Sequence, residues 1–354
     1  MSDIKSFIQS PEEKKDTVLE ATQSMIEAFG FRSGKRVSIE EIQQKMSDKE
    51  PFMHQSLSAV YGENLPNFLA SDGDFQRAFI LNIQKMVEFA RVRKDGSPYF
   101  LHPITASQEL LRYAPQDLNT LKAGAIGAIL HDFLEEGDGV SRESVSEFQS
   151  MFSDLSADDV EGLVMLTEPN YKENGKVENP NLAVAVDYDA LKQQTGFDRK
   201  QLEPVIFLIM ARANRMQQLV IPVDKLANVG DCDIVQRKKA LKDSPDATSP
   251  EFHKKFLSYM AKTLGTYALY AEGCIDSEAK QSKQALEVAI EEKIENMSKE
   301  LPDLAEEVKK KTQEFIRMSE NPMIHQAVAA ELVPYLRGLG LVRSAERIAL
   351  HQAR

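Results

Sequence analysis

The chain has 354 residues, 43 Lys+Arg against 55 Asp+Glu, a net charge of −12 and no tryptophan. With 42% apolar and 28% charged residues it reads as a globular chain of two or three domain-sized units with a sizeable core. The acid excess argues against a nucleic-acid polymer or an anionic membrane as partner, because attraction to either needs a basic face. Met1–Phe7 lacks a cationic-then-apolar leader pattern, and no run of 18 apolar residues offers a membrane span. Cys232 and Cys274 are too few for a disulfide framework, and a reduced, cytoplasmic setting is the expectation.

Helical signals come in chain order. Ser10-Pro11-Glu12-Glu13 reads as a helix start, with Ser at the N-cap and Pro at the first turn. Ser38-Ile39-Glu40-Glu41 and Ser156-Ala157-Asp158-Asp159 repeat the capping-box pattern, and Ser249-Pro250-Glu251 opens a further helix. Residues Glu168 to Pro180 are polar, with Gly and Pro, and read as a surface loop. Leu286, Ile290, Ile294 and Met297 recur at helical spacing as one apolar stripe on a charged helix. Alternating strand patterns are scarce, so the expected fold class is all-α. Three zones are expected: a helical region over residues 1–75, a central apolar-helix domain over 76–275, and charged helices over 276–354. No internal repeat of 20–50 residues is apparent.

Three segments of the central zone carry chemistry. In Leu121–Leu130 an apolar helix runs into His131-Asp132, followed by Glu135 and Glu136. On a continuing helix Glu135 would stand one turn above His131 and Asp132, and Glu136 one turn above Asp132. A solvated helix end is the plain alternative. The abutting apolar stretch weighs against it, because an unpaired charge there is costly. In Arg91-Val92-Arg93-Lys94-Asp95-Gly96-Ser97-Pro98-Tyr99-Phe100-Leu101-His102-Pro103, three cations precede a Gly/Pro turn and a histidine at a helix start. Arg93 can grip a phosphate or a base edge with two hydrogen bonds, and Lys94 is a mobile point charge. In Ile221–Asp231, Asp224 and Asn228 share a helical face, and Pro222 starts or kinks that helix. Two imidazoles and two carboxylates suit Mn, Fe or Zn better than Ca or Mg. His54, His253, His325 and His351 lack ligand-like neighbours. Cys232 reads either as a buried small hydrophobe or as a thiol near the third segment.

The order His, His-Asp, Asp on helices resembles the HD metal-dependent phosphohydrolase superfamily. The flanks narrow the likeness to the hydrolase domain of the RelA/SpoT alarmone enzymes and their stand-alone small relatives. There, Arg-Lys, a glycine turn and Pro-Tyr lead into His-Pro, as in Arg93 to Pro103. Leu-Leu-His-Asp followed by two acids is matched by Ile129-Leu130-His131-Asp132 with Glu135 and Glu136. Asp-Lys-Leu-x-Asn is matched by Asp224-Lys225-Leu226-Ala227-Asn228. The likeness covers residues 76–275. It implies an HD helical bundle with helical extensions at both ends. It implies His102, His131, Asp132 and Asp224 as ligands of manganese or another divalent metal, and Glu135 and Glu136 as the pair that handles the attacking water or the leaving group. It implies Arg93, Lys94 and Asp95 beside the nucleotide base, and Asn228 on the ribose or a phosphate.

The implied activity is removal of the 3′-pyrophosphate of guanosine or adenosine tetra- or pentaphosphate, (p)ppGpp, the alarmone of the stringent response. Alternatives are an NADPH or nucleoside-phosphate phosphatase, or a weakly active nucleotide-binding regulator. The chain departs from the family at Glu136, where Asp is usual, at Gly137, where Thr is usual, at Ile221-Pro222-Val223, which lacks the usual basic residue, and at Asp95, where a small polar residue is usual. No synthetase-like segment, phosphate-binding Gly-rich loop or Gly-x-Ser-x-Gly elbow is present. The expected partner is a small nucleotide. A protein partner, or self-association, would use the helical extensions.

Overall fold

The computed structural model describes residues 11–35, 37–89, 98–133, 142–230 and 249–352. Among these are 17 α-helices and one small sheet of three short strands, which makes the chain an all-α helical bundle. No helix among the described residues is long and apolar enough to cross a membrane. The chain divides into two compact units, Met1–Ile104 and Thr105–Arg354.

The first unit holds α1 (Pro11–Phe29), α2 (Ile39–Asp48), α3 (Glu50–Tyr61), the single turn α4 (Asn67–Ala70) and α5 (Gly73–Glu88). Its core is Met25, Phe29, Ile42, Leu57, Phe75 and Phe79, all fully buried. Each such side chain contributes about 1.5–3 kcal/mol by leaving water. Helix ends are closed by side chains. Ser38 Oγ accepts from Glu41 N at 3.2 Å, Asp72 Oδ1 accepts from Phe75 N at 2.8 Å, and Lys45 Nζ donates to the Phe29 carbonyl at 2.7 Å.

The division falls inside α6 (Leu101–Arg112), and this helix is described with the second unit, which holds most of it. There follow α7 (Leu118–Leu130), α8 (Arg142–Met151), α9 (Ala157–Met165), α10 (Tyr188–Thr195), α11 (Arg199–Ala213) and α12 (Arg215–Gly230). The chain continues through α13 (Pro250–Gly273), α14 (Lys280–Ser298), α15 (Leu304–Glu320), α16 (Pro322–Gly338) and α17 (Val342–Gln352). The capping box at Ser156 and Asp159 forms with both hydrogen bonds, and Ser249 Oγ accepts from Phe252 N at 3.1 Å. The stripe on α14 is core: Leu286, Ile290 and Met297 are buried, and Ile294 packs against them.

The polar stretch after α9 is more ordered than a loop. Strand β1 (Tyr171–Glu173) pairs antiparallel with β2 (Lys176–Val177) and parallel with β3 (Val186–Asp187). Asn174 and Gly175 both take positive φ, 54° and 72°, as a two-residue primed turn requires. The Asp189 carboxylate accepts from both of their N–H groups at 2.8 Å. The Asn-Gly pair is the hairpin signal that a reading by polarity alone passes over.

Candidate metal centre

Helix α7 is apolar from Ala123 to Leu130 and buried from Thr120 to Leu130 except at Lys122, which marks it as a central helix. Asp117 caps its start, accepting from Thr120 N at 2.8 Å. Two glycines let neighbouring helices come close. A Cβ on Gly127 would run into Met216 Sδ and stand 3.0 Å from Val220 Cγ2, both on α12. A Cβ on Gly124 would stand 3.0 Å from Leu110 Cδ1 on α6. A larger residue at 127 therefore has to displace the Met216 and Val220 side chains.

These crossings set the site. His131 lies one turn beyond Gly127 on the α7 path, and Asp224 lies one turn beyond Val220 on α12. His131 Nε2 accordingly stands 3.5 Å from Asp224 Oδ1. Leu110 and Gly124 bring α6 and α7 together. His102 is two turns back from Leu110, and His131 two turns on from Gly124, about 11–12 Å along each axis. One donor atom each from His102, His131 and Asp224 all lie within 4.8 Å of one another, and all three residues are buried. Ligand bonds of about 2.0–2.2 Å would put donors of a shared ion at most about 4.4 Å apart, close to that spread. Pro103 fits the start of α6, where a missing N–H costs no helical bond.

Helix α7 ends at Leu130, and His131 is its C-cap. The His131 Nδ1 donates to the Ala128 carbonyl at 2.8 Å, since a carbonyl can only accept. With Nδ1 so engaged, Nε2 is the ring nitrogen that faces the acids. Asp132 Oδ2 is 3.3 Å from the same Nε2, so Asp132 meets the group through His131. Burial opposes protonation of His131, but Asp132 and Asp224 outweigh it and raise its pKa well above the ordinary imidazole value. The potential that would hold a proton there is the potential that would hold a cation.

Asp224 is held on both oxygens. Asn228 Nδ2 donates to Oδ1 at 2.7 Å, and Lys225 Nζ stands 2.6 Å from Oδ2. Lys225 also stands 6.0 Å and 5.9 Å from the Tyr267 and Tyr270 ring centroids. Burial opposes the charge on Lys225, and Asp224 more than restores it, so its pKa is raised.

Helix α12 reaches Asp224 across Pro222, which lies inside it and has no N–H to give the Gln218 carbonyl. Cys274 Sγ fills that gap, donating to Gln218 O at 3.3 Å. Burial pushes the thiol pKa up to about 11, so it stays a donor. Gln218 Oε1 accepts from Ile275 N at 3.0 Å and Asp276 N at 2.8 Å, tying α12 to the end of α13.

Of the residues singled out from sequence, His102, His131 and Asp224 come together, Asp132 touches them, and Asn228 orients Asp224. Arg93, Lys94, Asp95, Glu135, Glu136 and Cys232 lie outside the described residues. Sequence reasoning assigned no role to Lys225, Gly127 or Cys274. Pro222, two positions before Asp224, was the available signal for an outside donor to α12. The group His102, His131 and Asp224, two imidazoles and one carboxylate, all buried, could hold a metal ion. Compared with protein-family models, curated proteins and solved structures, the chain matches none.

Proposed function

We propose that the chain is a metal-dependent nucleotide phosphohydrolase of the HD type, removing the 3′-pyrophosphate of guanosine or adenosine tetra- or pentaphosphate. The observation that supports it is that His102, His131 and Asp224, drawn from three separate sequence motifs, form one buried donor group. When bound, a divalent metal (manganese by resemblance) would acidify a water and polarise a phosphoryl oxygen.

The protein's own residues do the rest. The bond from His131 Nδ1 to Ala128 leaves Nε2 as the nitrogen that would hold the ion. Lys225 and Asn228 hold the Asp224 carboxylate in one orientation without a moving side chain. His102, His131 and Asp224 are buried, which strengthens the charge interactions among them. In this reading Glu135 and Glu136 orient and deprotonate the attacking water, and Arg93 and Lys94 bind the nucleotide beside the base.

The test is incubation of the purified protein with Mn2+ and guanosine tetraphosphate, with pyrophosphate release as the readout. Turnover is expected, and its loss in His131→Ala and Asp224→Ala. Release of one phosphate from NADPH or a nucleoside phosphate would keep the class and change the substrate. Binding with no phosphate released, across several nucleotides and metals, would replace the enzyme reading by a regulatory one.

A further inference from the structure

A groove of about 810 Å3 opens between α6, α12 and α14, wholly within the second unit. Its floor is small and apolar, with Ala227 from α12 and Ala285 and Ala289 from α14. Short side chains let a further helix come close, and Leu226 and Val288 offer it larger apolar surface. Val288 is 52% exposed, although Leu286, Ile290 and Met297 on the same helix are buried. Gln281, Ala285, Val288 and Glu292 share one face of α14 along the groove, about 16 Å or about three turns long. At one end Gln116 N donates to Glu278 Oε2 at 2.9 Å and joins the α6–α7 turn to the start of α14. Leu118, two residues after Gln116, and Ile275, three before Glu278, are 60% and 73% exposed. Apolar exposure thus gathers along the α6–α14 seam, as at an interaction surface.

The charges beside the seam say what would fit. Glu109 pairs with Arg112 at 3.0 Å, and Asp276 with Arg215 at 3.3 Å. Both cations are thereby engaged, and Glu278 at one end and Glu292 toward the other add carboxylates that no cation balances. Two copies of the chain meeting here would set acid against acid, whereas a cationic partner is attracted. The groove is walled by helices alone, so no strand edge invites an extended peptide. A helix laid in the groove is the mode that matches these walls.

Independently of the phosphohydrolase reading, we infer that this groove docks a cationic amphipathic helix of a protein partner. Its apolar face lies on the alanine floor, and its lysines or arginines meet Glu278 and Glu292. The test is fluorescence anisotropy of a labelled synthetic peptide of leucine and lysine at helical spacing, titrated with the full-length protein. A peptide of the same composition without that spacing runs beside it, and is expected to bind at least about tenfold more weakly. Val288→Glu is the deciding variant. It adds negative charge, so undirected attraction would tighten peptide binding, whereas docking in the groove weakens it at least about tenfold. Ala285→Trp fills the floor and is expected to act in the same direction, with circular dichroism checking the fold of both variants. Equal binding of the two peptides, or variants that bind as tightly as the wild type, overturns the inference. So does a dimer in sedimentation velocity that Val288→Glu dissociates, because a second copy would then cover the groove.

Discussion

Around His131 stand two carboxylates, Asp132 and Asp224, and one ammonium, Lys225, which pairs with Asp224; around Arg199 two carboxylates, Glu168 and Glu203, meet one guanidinium. The formal charges are the same. The surroundings differ. The Asp132 and Asp224 side chains are 12% and 11% exposed, against 33% and 29% for Glu168 and Glu203, so unbalanced charge costs more in the first cluster. The second cluster balances itself. Arg199 Nη2 donates to Glu168 at 2.6 Å and the guanidinium lies 3.5 Å from the Tyr171 ring centroid. Burial and the neighbouring Glu203 raise the Glu168 pKa, while Arg199 opposes the rise. In the first cluster the excess falls on His131, a nitrogen donor that a metal can replace a proton on. Donor identity and burial, not the count of charges, separate a candidate metal centre from a structural knot.

Four substitutions test that contrast, in order of expected effect. Asp224→Asn removes the charged donor of the group and, on the proposed reading, is expected to weaken Mn2+ binding at least ~100-fold, or about 2.7 kcal/mol. Isothermal titration reads it, and unchanged affinity would dissolve the distinction. Lys225→Met loosens the Asp224 carboxylate without touching the ion, and an affinity loss of about tenfold is expected in the same titration. Arg199→Met is expected to cost about 1–2 kcal/mol of stability, a fall in Tm of several degrees, with Mn2+ affinity unchanged. If metal binding moves with it, the two clusters are one network. Glu168→Gln is the smallest. Because its folded-state pKa is raised, Glu168 adds stability that is full at low pH and is lost as pH rises above the ordinary carboxylate value of 4.5 toward the raised one. The amide cannot ionise, so denaturant midpoints of the variant should lack the wild type's decline across that window.

Much of the fold was legible locally. Ser38, Ser156 and Ser249 cap helices as their sequence contexts require, because a cap is decided within four residues. The stripe from Leu286 to Met297 packs inward because 3.6-residue periodicity makes one face of a helix apolar. The Asn174-Gly175 hairpin was legible too, but polarity drew attention away from it.

The sequence by itself determined the all-α class, the helix starts at Ser38, Ser156 and Ser249 and the residue types able to hold a metal, all of which depend on near neighbours in the chain. Only the tertiary structure decided that His102, His131 and Asp224 share one buried spot, because that rests on close approach of α6 and α12 to the glycines of α7. It also decided that Cys274, 56 positions from Gln218, satisfies the carbonyl that Pro222 leaves open. Contacts between distant segments depend on side-chain shape at helix crossings, which no local pattern encodes.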